Sequence, residues 1–284
     1  MKKIIEIILY TTISCIALSA NAQDENCKQK NSEAYCILQI AGISKSARDM
    51  KQSDIKSNDI DVSKIGSDGV IHIDTTYLTM AALEYLNPTK VAGLSSGTLG
   101  NAFLLASIFS PRNPGEISDT FAIIPDSEVI DGNVLKTVQT HVLNAFALHM
   151  GAKLEPTPTY HVNKSLFGED KFLMHKMHGG RCGSDGCFVG VEFSYHIGGM
   201  HEKYKTVDQL PSWYSNGSGK AHVVRNAWPL AFKDPKDRLG SRVSTMTDGI
   251  QFVSHLPKWF YSYRPGSPSI MVSSDKIRVM VKPE

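Results

Sequence analysis

A serine between two glycines is the feature that most constrains how this chain can fold. Residues 91–102 carry the pattern Gly-x-Ser-x-Gly around Ser95, and an apolar, helix-forming run follows at 103–109. A serine in such a pattern projects from a sharp turn, where larger side chains two positions away would collide. The pattern therefore predicts a strand, a tight turn and a helix, with the Ser95 hydroxyl presented where the helix begins.

The position of Ser95 makes it a candidate nucleophile. The first amides of the following helix would face any oxyanion formed there, and the positive end of the helix dipole favours negative charge. A small-residue turn that merely leads into a buried helix has the same pattern. Only the rest of the chain can distinguish a nucleophilic Ser95 from a purely structural turn.

The first 22 residues resemble a secretory signal. Lys2 and Lys3 precede a largely apolar stretch at 4–18, and Ala-Asn-Ala at 20–22 fits a cleavage site, so the mature chain would begin at Gln23. Cys15 offers a lipoprotein alternative, but the residues before it match a lipidation site poorly. We expect an exported protein, either periplasmic or secreted.

Four cysteines remain after this cleavage, an even number that fits an oxidising compartment. They form two close pairs, Cys27 with Cys36 and Cys182 with Cys187. Local pairing is the simplest connectivity, and the two other pairings stay open. The spacing Cys-x4-Cys lies outside the common spacing of structural zinc sites, so disulfides are favoured over a metal.

Charge and length restrict the class of protein. Removing Lys2, Lys3 and Glu6 from the 30 basic and 28 acidic residues leaves 28 and 27, so no electrostatic footprint for nucleic acid is expected. Apolar periodicity predicts interleaved helices and strands, hence a mixed α/β fold. The predicted elements are helices at 33–40, 77–86 and 134–150, and strands at 121–124, 157–162, 188–196, 270–272 and 277–281.

The predicted organisation has three parts. A signal peptide at 1–22 is followed by a polar lead-in at 23–66 and an α/β domain at 67–284. Within that domain, 197–240 is rich in Gly, Pro, Asn and aromatic residues, which favours an irregular insertion or lid.

A serine nucleophile needs a base, and the late segment 248–257 offers one. It places Asp248 before Gly249 in a turn that runs into Pro257. Together with the Ser95 segment (VAGLSSGTLGNAFLLASI) and an upstream segment at 67–86 (SDGVIHIDTTYLTMAALEYL), it resembles the patatin-like and cytosolic phospholipase A2-like acyl hydrolases. The three segments occur in the order found in that family and cover about 60 of the 284 residues.

The resemblance implies a three-layer α/β sandwich with a central mixed sheet. It implies a Ser95–Asp248 dyad, with the backbone amides of Gly69 and Ser96 holding the oxyanion. The substrate would be a lipid or another ester, with transient contact to a membrane surface and no cofactor. The chain has His72 where the family carries an arginine in its oxyanion loop.

Two alternatives remain open. An α/β-hydrolase triad has the chain order Ser, Asp, His, and His255 would then be the base. The acid would come from one of Asp126, Asp131, Asp234 and Asp237. The other alternative is a non-catalytic periplasmic or secreted binding protein. It is favoured by the poor match of the segment at 67–86 to the oxyanion loop of the family.

The histidines at 175, 178, 196 and 201 surround the Cys182–Cys187 segment and invite comparison with a metal site. They lack the acidic partner of the His-Glu-x-x-His pattern, so no metal is predicted.

Overall fold

The computed structural model describes residues 25–43, 47, 49–51, 70–72, 119–162, 172–193, 204–225, 227–236, 253–265 and 269–282. In these ranges the α-helices are α1 (Cys27–Lys30), α2 (Glu33–Ala41) and α3 (Val134–Met150). The strands are β1 (Val70–His72), β2 (Asp119–Pro125), β3 (Lys153–Val162), β4 (Phe172–His178), β5 (Cys187–Phe193), β6 (Lys205–Val207), β7 (Ala221–Arg225), β8 (Ala227–Phe232), β9 (Phe260–Arg264), β10 (Ile270–Val272) and β11 (Lys276–Val279).

The strands form two sheets. The large sheet has seven strands in the order β1-β11-β10-β9-β2-β7-β6, and the small sheet has four in the order β3-β4-β5-β8. Every strand pairing within both sheets is antiparallel. Among the described residues the predicted mixed α/β class is confirmed, as two antiparallel sheets with three α-helices, whereas the three-layer sandwich with a central mixed sheet stays a prediction.

The large sheet is covered on both faces. Along β2, Phe121 and Ile123 join the core beneath α2, whereas Ala122 and Ile124 join the core shared with α3 and the small sheet. Because side chains alternate between the two faces of a strand, a strand buried on both sides is apolar throughout. This explains the uninterrupted apolar run at 121–124 that predicted a buried strand.

Helix α3 begins and ends where the sequence predicts. The Asn133 side chain accepts a hydrogen bond from the Lys136 amide at the start of the helix. Gly151 ends the helix in the left-handed conformation with φ 60°, which a glycine adopts without steric cost. The buried face of α3 includes Val138, Val142 and Phe146, and it contacts β3, β5, β7 and β8. The helix thus links the two sheets.

Helix α2 forms the opposite layer. Its N-cap Ser32 accepts a hydrogen bond from the Tyr35 amide, and Asp49 accepts bonds from both the amide and the hydroxyl of Ser32. The disulfide Cys27–Cys36 joins α1 to α2, and both of its cysteines are buried. The sequence predicted helix 33–40, which is confirmed, although it assigned this helix to a polar lead-in rather than to the core.

The second disulfide joins Cys182 to Cys187 and closes the loop between β4 and β5. The Lys233 ammonium donates a hydrogen bond to the Cys182 carbonyl oxygen. Gly186 has φ +79°, and a Cβ there would lie 2.6 Å from the Met177 carbonyl oxygen, so a larger residue would not fit. Both local cysteine pairings are therefore confirmed, and they fit an oxidising, extracellular-type environment.

The sequence predicted an irregular insertion at 197–240, but the described part of this stretch contains regular strands. It contains β6, β7 and β8, and β7 pairs with the central strand β2. These strands are only three to six residues long and are separated by turn-forming residues, which conceals them in the sequence. The domain boundaries at 22, 66 and 67 stay predictions.

No helix among the described residues is both long and apolar enough to cross a membrane.

Candidate functional site

Four of the predicted site residues lie outside the described ranges: Ser95, Ser96, Gly69 and Asp248. In the sequence, the Ser95 segment falls between β1 and β2, and the Asp248 segment falls between β8 and β9. Their dyad and oxyanion geometry therefore stay predictions. His255, the alternative base, is described.

His255 lies on an exposed turn that the core holds at both ends. Val253 and Leu256 are buried, the Leu256 amide donates to the Val253 carbonyl, and Trp259 packs its ring edge-on against His141 at 5.2 Å between centroids. Partial burial lowers the pKa of the His255 imidazole below its ordinary value. The imidazole therefore favours the neutral form, which a general base requires.

The candidate acids of the triad have other partners in the structure. Asp126 binds His222, Asp131 pairs with Lys136, and an Asp234 carboxylate oxygen accepts the Lys236 amide. Asp237 lies outside the described ranges. Among the described residues, His255 makes no hydrogen bond to a carboxylate. A triad that uses His255 stays a prediction.

The structure instead brings together Asp126, His222 and Thr206. Asp126 Oδ1 lies 2.7 Å from His222 Nε2, and Thr206 Oγ1 lies 3.5 Å from His222 Nδ1. Thr206 on β6 and His222 on β7 are direct cross-strand partners. β2 pairs with the opposite edge of β7, and Asp126 follows the end of β2. The Asp126 amide also donates to the Lys220 carbonyl, which fixes the acid beside β7.

Electrostatics favour an ionised acid in this cluster. The hydrogen bond from His222 lowers the pKa of the Asp126 carboxyl below its ordinary value; desolvation opposes this shift, and the nearby charge of Lys220 assists it. Because an ionised carboxylate can only accept, His222 Nε2 carries the proton in the neutral imidazole. This assigns Nδ1 as the acceptor that faces the Thr206 hydroxyl.

Sequence reasoning named Asp126 as a possible acid but missed His222 and Thr206. The only local signal was a histidine within the apolar run Ala-His-Val-Val of β7. Asp126 and His222 are 96 residues apart, so their pairing depends on the strand order of the large sheet.

Two of the histidines weighed as metal ligands, His175 and His178, have structural partners. His175 Nδ1 lies 3.0 Å from the Glu155 carbonyl oxygen, and His178 Nε2 lies 2.7 Å from Glu155 Oε1. Across the described part of the chain, no three His, Cys, Asp or Glu side chains are grouped as ligands for a metal ion. His196 and His201 lie outside it.

A second polar cluster lies buried between α2 and the large sheet. Arg278 is 1% exposed, donates to Glu33 Oε1 at 2.7 Å and to Ser273 Oγ at 2.8 Å, and lies 5.7 Å from the Tyr261 ring centroid. The Tyr261 and Tyr214 hydroxyls are 2.8 Å apart. Burial raises the pKa of both phenols, so they stay neutral. This cluster fastens α2 to the sheet.

Glu33 should make stability sensitive to acid. Burial raises the pKa of its carboxyl, but Arg278 and Lys28 outweigh burial and hold it below 4.5. The ionised Glu33 therefore contributes its full stabilisation of the fold at pH values above the ordinary carboxyl pKa of 4.5. That contribution is lost as the pH falls through the lowered folded-state pKa. Urea unfolding at a series of acidic pH values should show a smaller pH dependence for Glu33→Gln than for the wild type. Equal slopes would contradict this assignment.

Comparison of the chain with family models, with curated proteins and with solved structures finds no match in any of the three. The candidate function therefore depends on the residues of this chain alone.

Proposed function

We propose that this chain is an exported serine ester hydrolase with a patatin-like three-layer sandwich, acting on a lipid or another ester. The observation that carries the proposal is the pattern Gly-x-Ser-x-Gly at Ser95, followed by a helix-forming run and, later, by the Asp248-Gly turn in the same order as in patatin-like hydrolases. This order supplies a nucleophile, its base and an oxyanion-facing helix from one chain.

Two structural findings support the setting of this proposal. The fold is mixed α/β, the class to which such hydrolases belong. Both disulfides are formed, Cys27–Cys36 and Cys182–Cys187, and disulfides persist in oxidising compartments outside the cytosol. The signal-like segment at 1–22 accords with that location.

In the proposed mechanism, Ser95 Oγ attacks the ester carbonyl while the Asp248 carboxylate takes the hydroxyl proton. The tetrahedral oxyanion accepts hydrogen bonds from the backbone amides of Gly69 and Ser96. Collapse releases the alcohol, which takes the proton from Asp248 and leaves an acyl group on Ser95. Water then attacks the acyl-enzyme with Asp248 again as the base, which returns the free serine and a carboxylic acid.

A fluorophosphonate probe tests the nucleophile. The purified chain should be labelled on the peptide that contains Ser95, and Ser95→Ala should remove the label because no activated hydroxyl remains there. Ser107→Ala, a serine in the following apolar run, is the matched control and should label like the wild type. Labelling of the Ser95 peptide can be located by mass spectrometry after digestion.

The outcomes separate the remaining alternatives. Labelling that Asp248→Asn abolishes and His255→Gln only weakens supports the dyad, whereas loss in His255→Gln supports the triad. Labelling of the wild-type chain that mass spectrometry locates only outside the Ser95 peptide, and that persists in Ser95→Ala, contradicts the choice of nucleophile. A folded wild-type chain that takes no label overturns the hydrolase and favours a non-catalytic binding protein.

A further inference from the structure

The Asp126–His222–Thr206 cluster has the arrangement of an acid, an imidazole and a hydroxyl in sequence. The carboxylate binds one ring nitrogen at 2.7 Å, and the hydroxyl faces the other at 3.5 Å. Hydrogen bonds to a nucleophile are often long without substrate and shorten when one binds. We propose that this cluster is a second nucleophilic site, at which His222 activates the Thr206 hydroxyl toward aryl esters independently of Ser95.

Burial and exposure are distributed as such a site needs. The His222 side chain is only 9% exposed, whereas Thr206 is exposed on β6, at the edge of the large sheet. The imidazole is thus held in one orientation between two strands, and the hydroxyl stays open to a reagent. Ionised Asp126 fixes the proton on Nε2, so the lone pair of Nδ1 is directed at the hydroxyl.

A comparison within the molecule shows what a purely structural pair looks like. His178 and Glu155 also form an imidazole–carboxylate pair at 2.7 Å, and both side chains are about two-fifths exposed. No described hydroxyl hydrogen-bonds the other nitrogen of His178, which instead lies close to Gly186. The pair at His222 differs from it by the added hydroxyl and by the burial of the ring.

The neighbouring side chain indicates the class of substrate. Tyr204 is 38% exposed, and its ring meets the His222 ring edge-on at 5.5 Å between centroids. An exposed aromatic face beside a nucleophile favours a flat leaving group, because aromatic rings attract one another beyond the area they bury. We therefore assign an aryl ester as the substrate class.

The step is an acyl transfer. Thr206 Oγ1 forms a bond to the acyl carbon while His222 Nδ1 takes the hydroxyl proton. The bond between the acyl carbon and the aryl oxygen breaks, and the departing phenolate takes that proton from His222. The products are an acyl-threonine ester and a phenol. Asp126 acts as a positioning residue that holds the tautomer and stabilises the transient imidazolium.

The test uses the full, disulfide-bonded chain carrying Ser95→Ala, treated with p-nitrophenyl acetate. We expect p-nitrophenol release and one acetyl group on the peptide that contains Thr206, found by mass spectrometry. Thr206→Val should abolish this acetylation, and Thr206→Ser should retain it. His222→Gln should slow it by roughly 10²-fold or more, the usual contribution of a general base.

Two controls separate activation from folding. Thr159, exposed on the edge strand β3, has no side-chain hydrogen bond to a described residue, so Thr159→Val should leave acetylation unchanged. Asp126 is exposed, so Asp126→Asn should keep the thermal midpoint and still slow acetylation, whereas Asp126→Glu should restore part of the rate. Those two rates would not move if Asp126 were only a structural contact.

An acetylation rate at Thr206 that His222→Gln leaves unchanged in a folded variant would overturn the second site, as would a Thr206 peptide that remains unmodified. Neither result bears on Ser95, which the fluorophosphonate experiment tests in the wild-type chain. The two proposals can therefore fail separately.

Discussion

We expect the replacement of Glu33 by glutamine to lower the free energy of unfolding by about 3 kcal/mol near neutral pH, because it removes one member of a buried ion pair. Arg278 is 1% exposed and Glu33 is 12% exposed, so the remaining guanidinium has little access to water. The glutamine oxygen can still accept a hydrogen bond, but it carries no charge to offset the buried cation. The loss therefore comes chiefly from uncompensated desolvation.

Urea unfolding followed by circular dichroism measures this loss, and Lys136→Gln is the control. Lys136 and Asp131 also form an ion pair, but their side chains are 53% and 71% exposed. Removing an exposed pair costs little, because water already solvates both charges. Similar losses in the two variants would contradict the conclusion that the Glu33–Arg278 pair is energetically buried.

Phe146→Ala is the second large effect, with an expected loss of about 3–5 kcal/mol. Phe146 is 1% exposed on the face of α3 that packs in the core shared by the two sheets. Truncation removes the apolar area of the Phe146 ring from that core and leaves a cavity. The surrounding strands can fill this cavity only in part, because the hydrogen bonds between strands hold them in place. The same urea titration measures the change in unfolding free energy.

Leu148 provides the matched control on the same helix. It is 66% exposed, so Leu148→Ala removes little buried surface, and alanine favours a helix slightly more than leucine does. We expect a change within about 0.5 kcal/mol. Comparable destabilisation by the two truncations would mean that α3 does not pack by the face described above.

Local signals allowed the sequence to predict helix α3 residue by residue. Asn133 and Gly151 have capping functions that act within a few positions, and the apolar spacing between them identifies the buried face. Helix α2 is bounded by the same kinds of local cap, Ser32 and Gly42. The local disulfides follow from short spacing in the same way.

Interactions between distant segments were not predictable. The Arg278–Glu33 pair joins residues 245 positions apart, and neither residue differs in sequence from an ordinary surface charge. β6 and β7 were taken for an irregular segment because short strands between turn residues carry too few alternations to show a period. The pairing of β7 with β2 determines which imidazole Asp126 binds. Without that pairing, the sequence gives no reason to prefer His222 over His255 as the partner of Asp126.

The contact of α2 with β9, β10 and β11 has a consequence for how the protein folds. The face of the large sheet beneath α2 is formed by strands that include β9 and β10, and the partner of Glu33 lies on β11. Glu33 and Arg278 are 245 positions apart in the chain. Closure of that layer must therefore wait until these distant segments meet, and such long sequence separation between contacts makes folding slow.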